Sequence, residues 1–89
     1  MVTPAFIFDT EANGYISDPF TVFEQAKVHI ELASRAPVVT LKEEPDGSYS
    51  NYGQSPKESD RYEINLTSKD EIKVRMAAPV EVTKCYIIN

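Results

Sequence analysis

Two runs in the second half of the chain alternate apolar and polar residues with period two. Tyr62, Ile64 and Leu66 alternate with Glu63, Asn65 and Thr67, and Ile72, Val74 and Met76 alternate with Lys73 and Arg75. Such alternation sends one set of side chains to a core and the other to solvent, which is the signature of half-buried strands. A chain of 89 residues has room for one core only, so whatever else the sequence encodes must pack against this sheet. The short polar link Ser68-Lys69-Asp70-Glu71 predicts an antiparallel hairpin joining the two runs.

The remaining segments are less regular. Ala5-Phe6-Ile7-Phe8, after Pro4, reads as a short strand with a buried position on both faces. Ser17-Asp18-Pro19 is a helix-start signal, because Asp18 can accept from free amides and Pro19 suits the first helical position. From Phe20 to Arg35 there is neither glycine nor proline, and Val22, Phe23, Ala26, Ile30 and Ala33 would share one side of a helix. Val28, Ile30 and Leu32 also alternate with His29 and Glu31, as a strand would. The helix is preferred, since a strand reading needs turn chemistry between 19 and 36 that the sequence lacks. Pro37 ends the element. Val38 to Lys42 then reads as a strand, "EPDGS" at 44–48 as a turn, Ser48 to Tyr52 as the return strand, and 53–60 as a loop. After Ala77-Ala78-Pro79, residues Val80, Val82 and Tyr86-Ile87-Ile88 predict a last strand ending inside the sheet. The expected fold is α+β, with one helix packed on a mostly antiparallel sheet of four to six strands.

Composition narrows the function classes. A hydrophobic content of 42% with 26% charged residues fits a folded globular domain. The single cysteine, Cys85, excludes an internal disulfide and points to a reducing compartment. The opening "MVTPAFIFDTE" lacks the basic and apolar stretches of a secretory signal, and no apolar run is long enough to span a bilayer. A soluble, cytoplasmic protein without membrane contact is expected. The net charge is −5 and lies in residues 1–46, which hold eight acids against three bases. That balance disfavours nucleic acid and favours a partner with a basic surface.

Residues 9–20, DTEANGYISDPF, resemble the calcium loop of the EF-hand family. Asp9, Glu11, Asn13 and Ser17 fall on ligand positions 1, 3, 5 and 9 of that loop, and Gly14 falls on its glycine. The resemblance covers about twelve residues and fails at position 12, where Phe20 stands in place of the bidentate glutamate. The stretch is therefore read as two structural signals: a type I′ hairpin turn at Asn13-Gly14 and the helix start at Asp18-Pro19. Calcium binding is the lowest-ranked alternative.

No motif announces catalysis, a cofactor or a metal centre. His29 and Cys85 are the only histidine and thiol, and the three glycines stand singly in turns. The stretch "DGSYSNYGQS" at 46–55 differs in character, because tyrosine with small polar residues is the composition of recognition loops. Tyr49, Asn51 and Tyr52 are accordingly the candidate protein-binding residues, near the distal end of a hairpin; Lys57 and Arg61 are the bases nearest them. The expected function is a small acidic, non-enzymatic binding module, an inhibitor or adaptor docking on a larger protein. The alternative is a self-assembling subunit, a homodimer for example, that pairs through the apolar edge of "KCYIIN".

Overall fold

The computed structural model describes residues 1–55 and 58–89. It is all-β, with 74% of the described residues in strands and no helix, wrapped into a nearly closed barrel-like sheet. The seven strands are β1 (Phe6–Asp9), β2 (Gly14–Ser17), β3 (Phe20–Ala36), β4 (Val39–Glu43), β5 (Tyr49–Gln54), β6 (Ser59–Ala78) and β7 (Val82–Ile88). Every pairing between them is antiparallel.

The expected helix is a strand of 17 residues. The period-two signal at Val28, Ile30 and Leu32 extends over the whole element: Phe20, Val22, Ala26, Val28, Ile30, Leu32 and Ala36 are all buried. Two residues assigned to the helical face, Phe23 and Ala33, are exposed instead. A strand this long needs no turn, because it bends. Val22 pairs with Ile72 and the next pair is Glu24 with Ser68, so residues 69–71 of β6 stand opposite Phe23 alone. Glu24 takes a φ of +64° at this corner, a left-handed conformation that non-glycine residues rarely adopt. The extra residues bend both strands and let them pass from one side of the core to the other. The expected hairpin at Ser68–Glu71 is thus a correction too. Both flanking runs are strand, and they belong to the single 20-residue strand β6.

The sheet is built on β6. Its C-terminal part is central, bonded on one side to β2 and the start of β3 and on the other to β4, with Thr40 opposite Met76. Its first half is bonded on one side only, to β3, whose far side carries β7. The path β1-β2-β6-β3-β7 therefore ends on β7, which was expected inside the sheet. The outer side of β7 meets the N-terminus through a two-bond bridge between Val2 and Ile87, at 3.0 and 2.7 Å.

The inward side chains from both halves of β3 and β6, with Val38, Ile87 and their neighbours, form one core. Each fully buried Val or Ile contributes roughly 1.5–3 kcal/mol of transfer free energy. Ser17 is buried among them, and its hydroxyl is satisfied: it donates to the Asp18 carbonyl and accepts from the Met76 N–H, both at 2.9 Å. β1 departs from expectation in the other direction, since Ile7 and Phe8 are 67% and 50% exposed.

The turn at 9–14 is real but differs in type from the two-residue hairpin expected. Residues 10–13 form the loop, Asp9 pairs with Gly14, and the positive φ falls on Asn13 alone, at 53°. Gly14 is required for another reason: a Cβ there would lie 2.8 Å from the Ala78 carbonyl oxygen.

Candidate functional site

The hairpin formed by β4 and β5 closes as its turn residues predict. Gly47 takes a φ of +89°, and the Asp46 carboxylate accepts from the Ser48 N–H and hydroxyl, which holds its pKa below the ordinary carboxylate value. The register of the two strands shifts between Thr40 and Leu41: Thr40 faces Gly53, while Leu41 faces Asn51. Tyr52 is the extra residue. A bulge re-aims the side chain it carries, and Tyr52 points across the sheet, where its hydroxyl donates to the Thr67 carbonyl of β6 at 2.8 Å.

Strand geometry separates the three residues picked out from the sequence. They lie on β5 itself, not on a distal loop. Tyr49 lies under the guanidinium of Arg75, 4.8 Å from its ring centroid. Asn51 is exposed opposite Leu41. Tyr52 stands at the mouth of a cleft of about 600 Å³ between β5 and the first half of β6. The cleft is floored by Val38, Thr40 and Leu66 and flanked by Ser55, Tyr62 and Ile64. Lys57, one of the two bases nearest this stretch in sequence, lies outside the described residues, as does part of the loop expected at 53–60.

The cleft is a seam where the wall is not hydrogen-bonded. In an antiparallel pair, alternate residues turn their peptide groups toward the same neighbour. The Val2–Ile87 bridge fixes the phase for β7, and the pairings of β7 with β3 and of β3 with β6 carry it across. Tyr62, Ile64 and Leu66 therefore direct their peptide groups to β3, whereas Arg61, Glu63, Asn65 and Thr67 direct theirs into the seam. The bond accepted by the Thr67 carbonyl from Tyr52 agrees with that phase. On the facing side, Ser55 N–H donates to the Val38 carbonyl at 3.0 Å, so Gly53 and Ser55 face β4 while Gln54 faces the seam. Among the described residues, no strand pairs with β6 between Ser59 and Ser68 on this side. The seam is stopped at both ends by tyrosine. Tyr52 bonds Thr67 at one end, and at the other the Tyr62 hydroxyl donates to the Ala36 carbonyl and accepts from the Ser59 N–H, at 2.7 and 2.8 Å.

The outer face of the adjoining strands carries the chain's one histidine. His29 Nδ1 lies 2.6 Å from Glu63 Oε1, and Nε2 lies 2.6 Å from Glu31 Oε2. The ring stacks on Tyr86 with centroids 4.7 Å apart. Donation to a carboxylate from both nitrogens requires the imidazolium. The bonds to Glu31 and then Glu63 raise the His29 pKa above 6.5, against the opposing effect of desolvation. The Glu31 carboxyl is lowered from 4.5, mainly by the bond from His29, with Arg61 and Lys84 adding to the effect. So clamped, neither ring nitrogen offers a lone pair to a proton, a metal or a substrate.

Cys85 pairs with Ile30 and Tyr86 with His29, so the thiol and the imidazole lie on opposite faces of the sheet and cannot act together. Burial pushes the Cys85 thiol up to about 11. In the calcium-like stretch, Asp9 Oδ1 accepts from the Glu11 N–H at 2.9 Å and the Ser17 hydroxyl is committed to the core, so two of the four aligned ligands serve the fold. Among the described residues, no three His, Cys, Asp or Glu side chains are grouped to hold a metal.

The sequence missed the seam because it is a non-local feature. Residues 61–67 have the same alternation whether their outer edge is paired or free. Comparison with known proteins finds no family model, no curated protein and no solved structure that matches the chain.

Proposed function

We propose that the chain is a small acidic, non-enzymatic binding module that docks on a larger protein through the β5 side of its sheet. The observation that carries this reading is the seam itself: two strand edges face each other across a cleft of about 600 Å³ with no strand between them among the described residues. Exposed strand edges are templates for a partner's main chain, and natural sheets usually cover or blunt them. The half-exposed Tyr52 borders the opening, with the exposed Asn51 beside it in sequence, and tyrosine supplies large contact area at small entropic cost. Tyr49 belongs to the support, held on the outer face by Arg75. The net charge of −5 favours a basic partner surface.

Photo-crosslinking tests the reading. A benzoylphenylalanine at position 51 is expected to yield a single partner adduct in the cell of origin. The same group at the exposed position 10, on the far loop between β1 and β2, is expected to yield none. Equal labelling from both positions, or none from position 51, would contradict docking at β5.

A second reading, self-assembly through an edge strand, is favoured at β1 and not at β7. β1 pairs with β2 alone and exposes Ile7 and Phe8, whereas the outer edge of β7 is already engaged by Val2. Ile7→Lys is then expected to convert a dimer to a monomer in sedimentation. A native chain that stays monomeric at every concentration dismisses this reading.

A further inference from the structure

We propose that the seam between β5 and the first half of β6 receives one extended segment of the partner, which adds as a strand along Arg61–Asn65 and completes the wall. This inference rests on the docking reading and specifies the chemistry of the occupant: a short β-strand whose alternate residues are apolar and basic.

Three features of the seam select such a segment. The first is its main-chain valence. Glu63 and Asn65 each present an N–H and a carbonyl to the seam, and Arg61 presents its carbonyl while its N–H donates to the Ser59 hydroxyl at 3.3 Å; the spacing is the two residues with which a strand pairs, and among the described residues no strand answers them. A helix cannot, because its own ladder uses its peptide groups. Strand addition at a free sheet edge satisfies them with main chain alone, and side-chain pockets then supply specificity.

The second is width. A tyrosine places its hydroxyl ~6.5 Å from its Cα by ordinary covalent dimensions. With the 2.8 Å bond from Tyr52 to Thr67 added, the two edges stand at most about two strand spacings apart at this end. That is the gap one intervening strand fills. The tyrosine stoppers at Thr67 and Ser59 confine the free edge to Arg61–Asn65, so the segment is short.

The third is what the two faces of an inserted strand would meet. Its inward side chains enter the cleft above Val38, Ile64 and Leu66, which favours Val- or Ile-sized apolar groups. Its outward side chains emerge beside Glu63, which His29 and Lys27 already engage, and near Tyr52, over whose ring Lys42 lies, with Glu24 and Lys69 at the Thr67 corner. The local charges are mixed, and it is the chain's net charge of −5 that favours lysine or arginine at the outward positions.

The test uses the full chain and the synthetic peptide Lys-Val-Lys-Val-Lys, capped at both ends, with amide exchange followed by NMR. In the complex, exchange at Glu63 and Asn65 is expected to slow by about tenfold or more, while Tyr62, Ile64 and Leu66, already bonded to β3, change little. The same peptide N-methylated at its lysines, whose peptide groups face β6 when it adds antiparallel with its valines inward, loses that edge of donors, and its Glu-Val counterpart loses the charge match; neither is expected to protect the two amides. Unchanged exchange at Glu63 and Asn65, equal protection by the methylated peptide, or protection that appears on β1 instead would overturn the proposal. If those amides stay unprotected while a partner still crosslinks from position 51, docking at β5 stands and strand addition falls.

Discussion

His29 shows how far a single residue's environment can be pushed by its cross-strand neighbours. Sequence places Glu31 two positions away, on the same face of a strand, but gives no hint of Glu63, which reaches the ring from β6 only because β3 and β6 pair in this register. Folding raises the imidazolium pKa, so His29 lends its stabilisation fully below 6.5 and loses it as pH rises through the higher folded value. Glu31 is lowered, so its share is present above 4.5 and is lost as pH falls through the lower folded value. Stability is therefore expected to be greatest between these two values, with Lys27, Arg61 and Lys84 as the other charged groups on this face. Glu63→Gln removes one of the two acceptors and is expected to move the His29 titration, read by NMR, toward 6.5. A native His29 that titrates at or below 6.5 would mean that the clamp does not form in solution. At Gly14 the outcome is similar in kind. The sequence marked a glycine in a turn, yet the positive φ belongs to Asn13, and glycine is needed for the approach of Ala78.

Among the elements, the strands with local signals were legible and the two long ones were not. Residues 38–42, the EPDGS turn and the return strand are settled by neighbouring residues, and they stand within a residue or two of where sequence puts them. β3 and β6 run for 17 and 20 residues, far beyond the usual five or six. Ordinary strand length makes a stretch without glycine or proline look helical and makes a polar tetrad look like a turn. Both errors have one physical cause, the corner where Phe23 faces residues 69–71. A bulge needs no turn residues, so it leaves no local signature. The two readings of residues 20–35 predict different costs. Ile30→Ala removes a fully buried side chain and is expected to cost about 2–5 kcal/mol in urea unfolding. Phe23→Ala, at a ring 52% exposed, is expected to cost less than about 1 kcal/mol. A helix packed through Val22, Phe23 and Ala26 would make both substitutions costly, so a large loss at Phe23 would count against the bent strand.

At the scale of the whole molecule, the corner in β3 and β6 folds the sheet over a single core, and Val2 bridges the outer side of β7 at Ile87. Among the described residues, the edge of β1 and the seam between β5 and β6 remain unpaired along most of their length, the latter stopped at its ends by Tyr52 and Tyr62. Composition singled out Tyr49, Asn51 and Tyr52, and of these three Tyr52 lines this opening. The other border, Arg61 to Asn65, is defined by which neighbour each peptide group faces, and only the folded register decides that. Docking and strand addition both depend on that edge being free in the isolated protein. Native-state amide exchange by NMR tests this residue by residue along β6. An alternation is expected, with Glu63 and Asn65 exchanging fast and Tyr62, Ile64 and Leu66 protected by β3. Uniform protection from Tyr62 to Leu66 would show the wall already closed and would contradict the account.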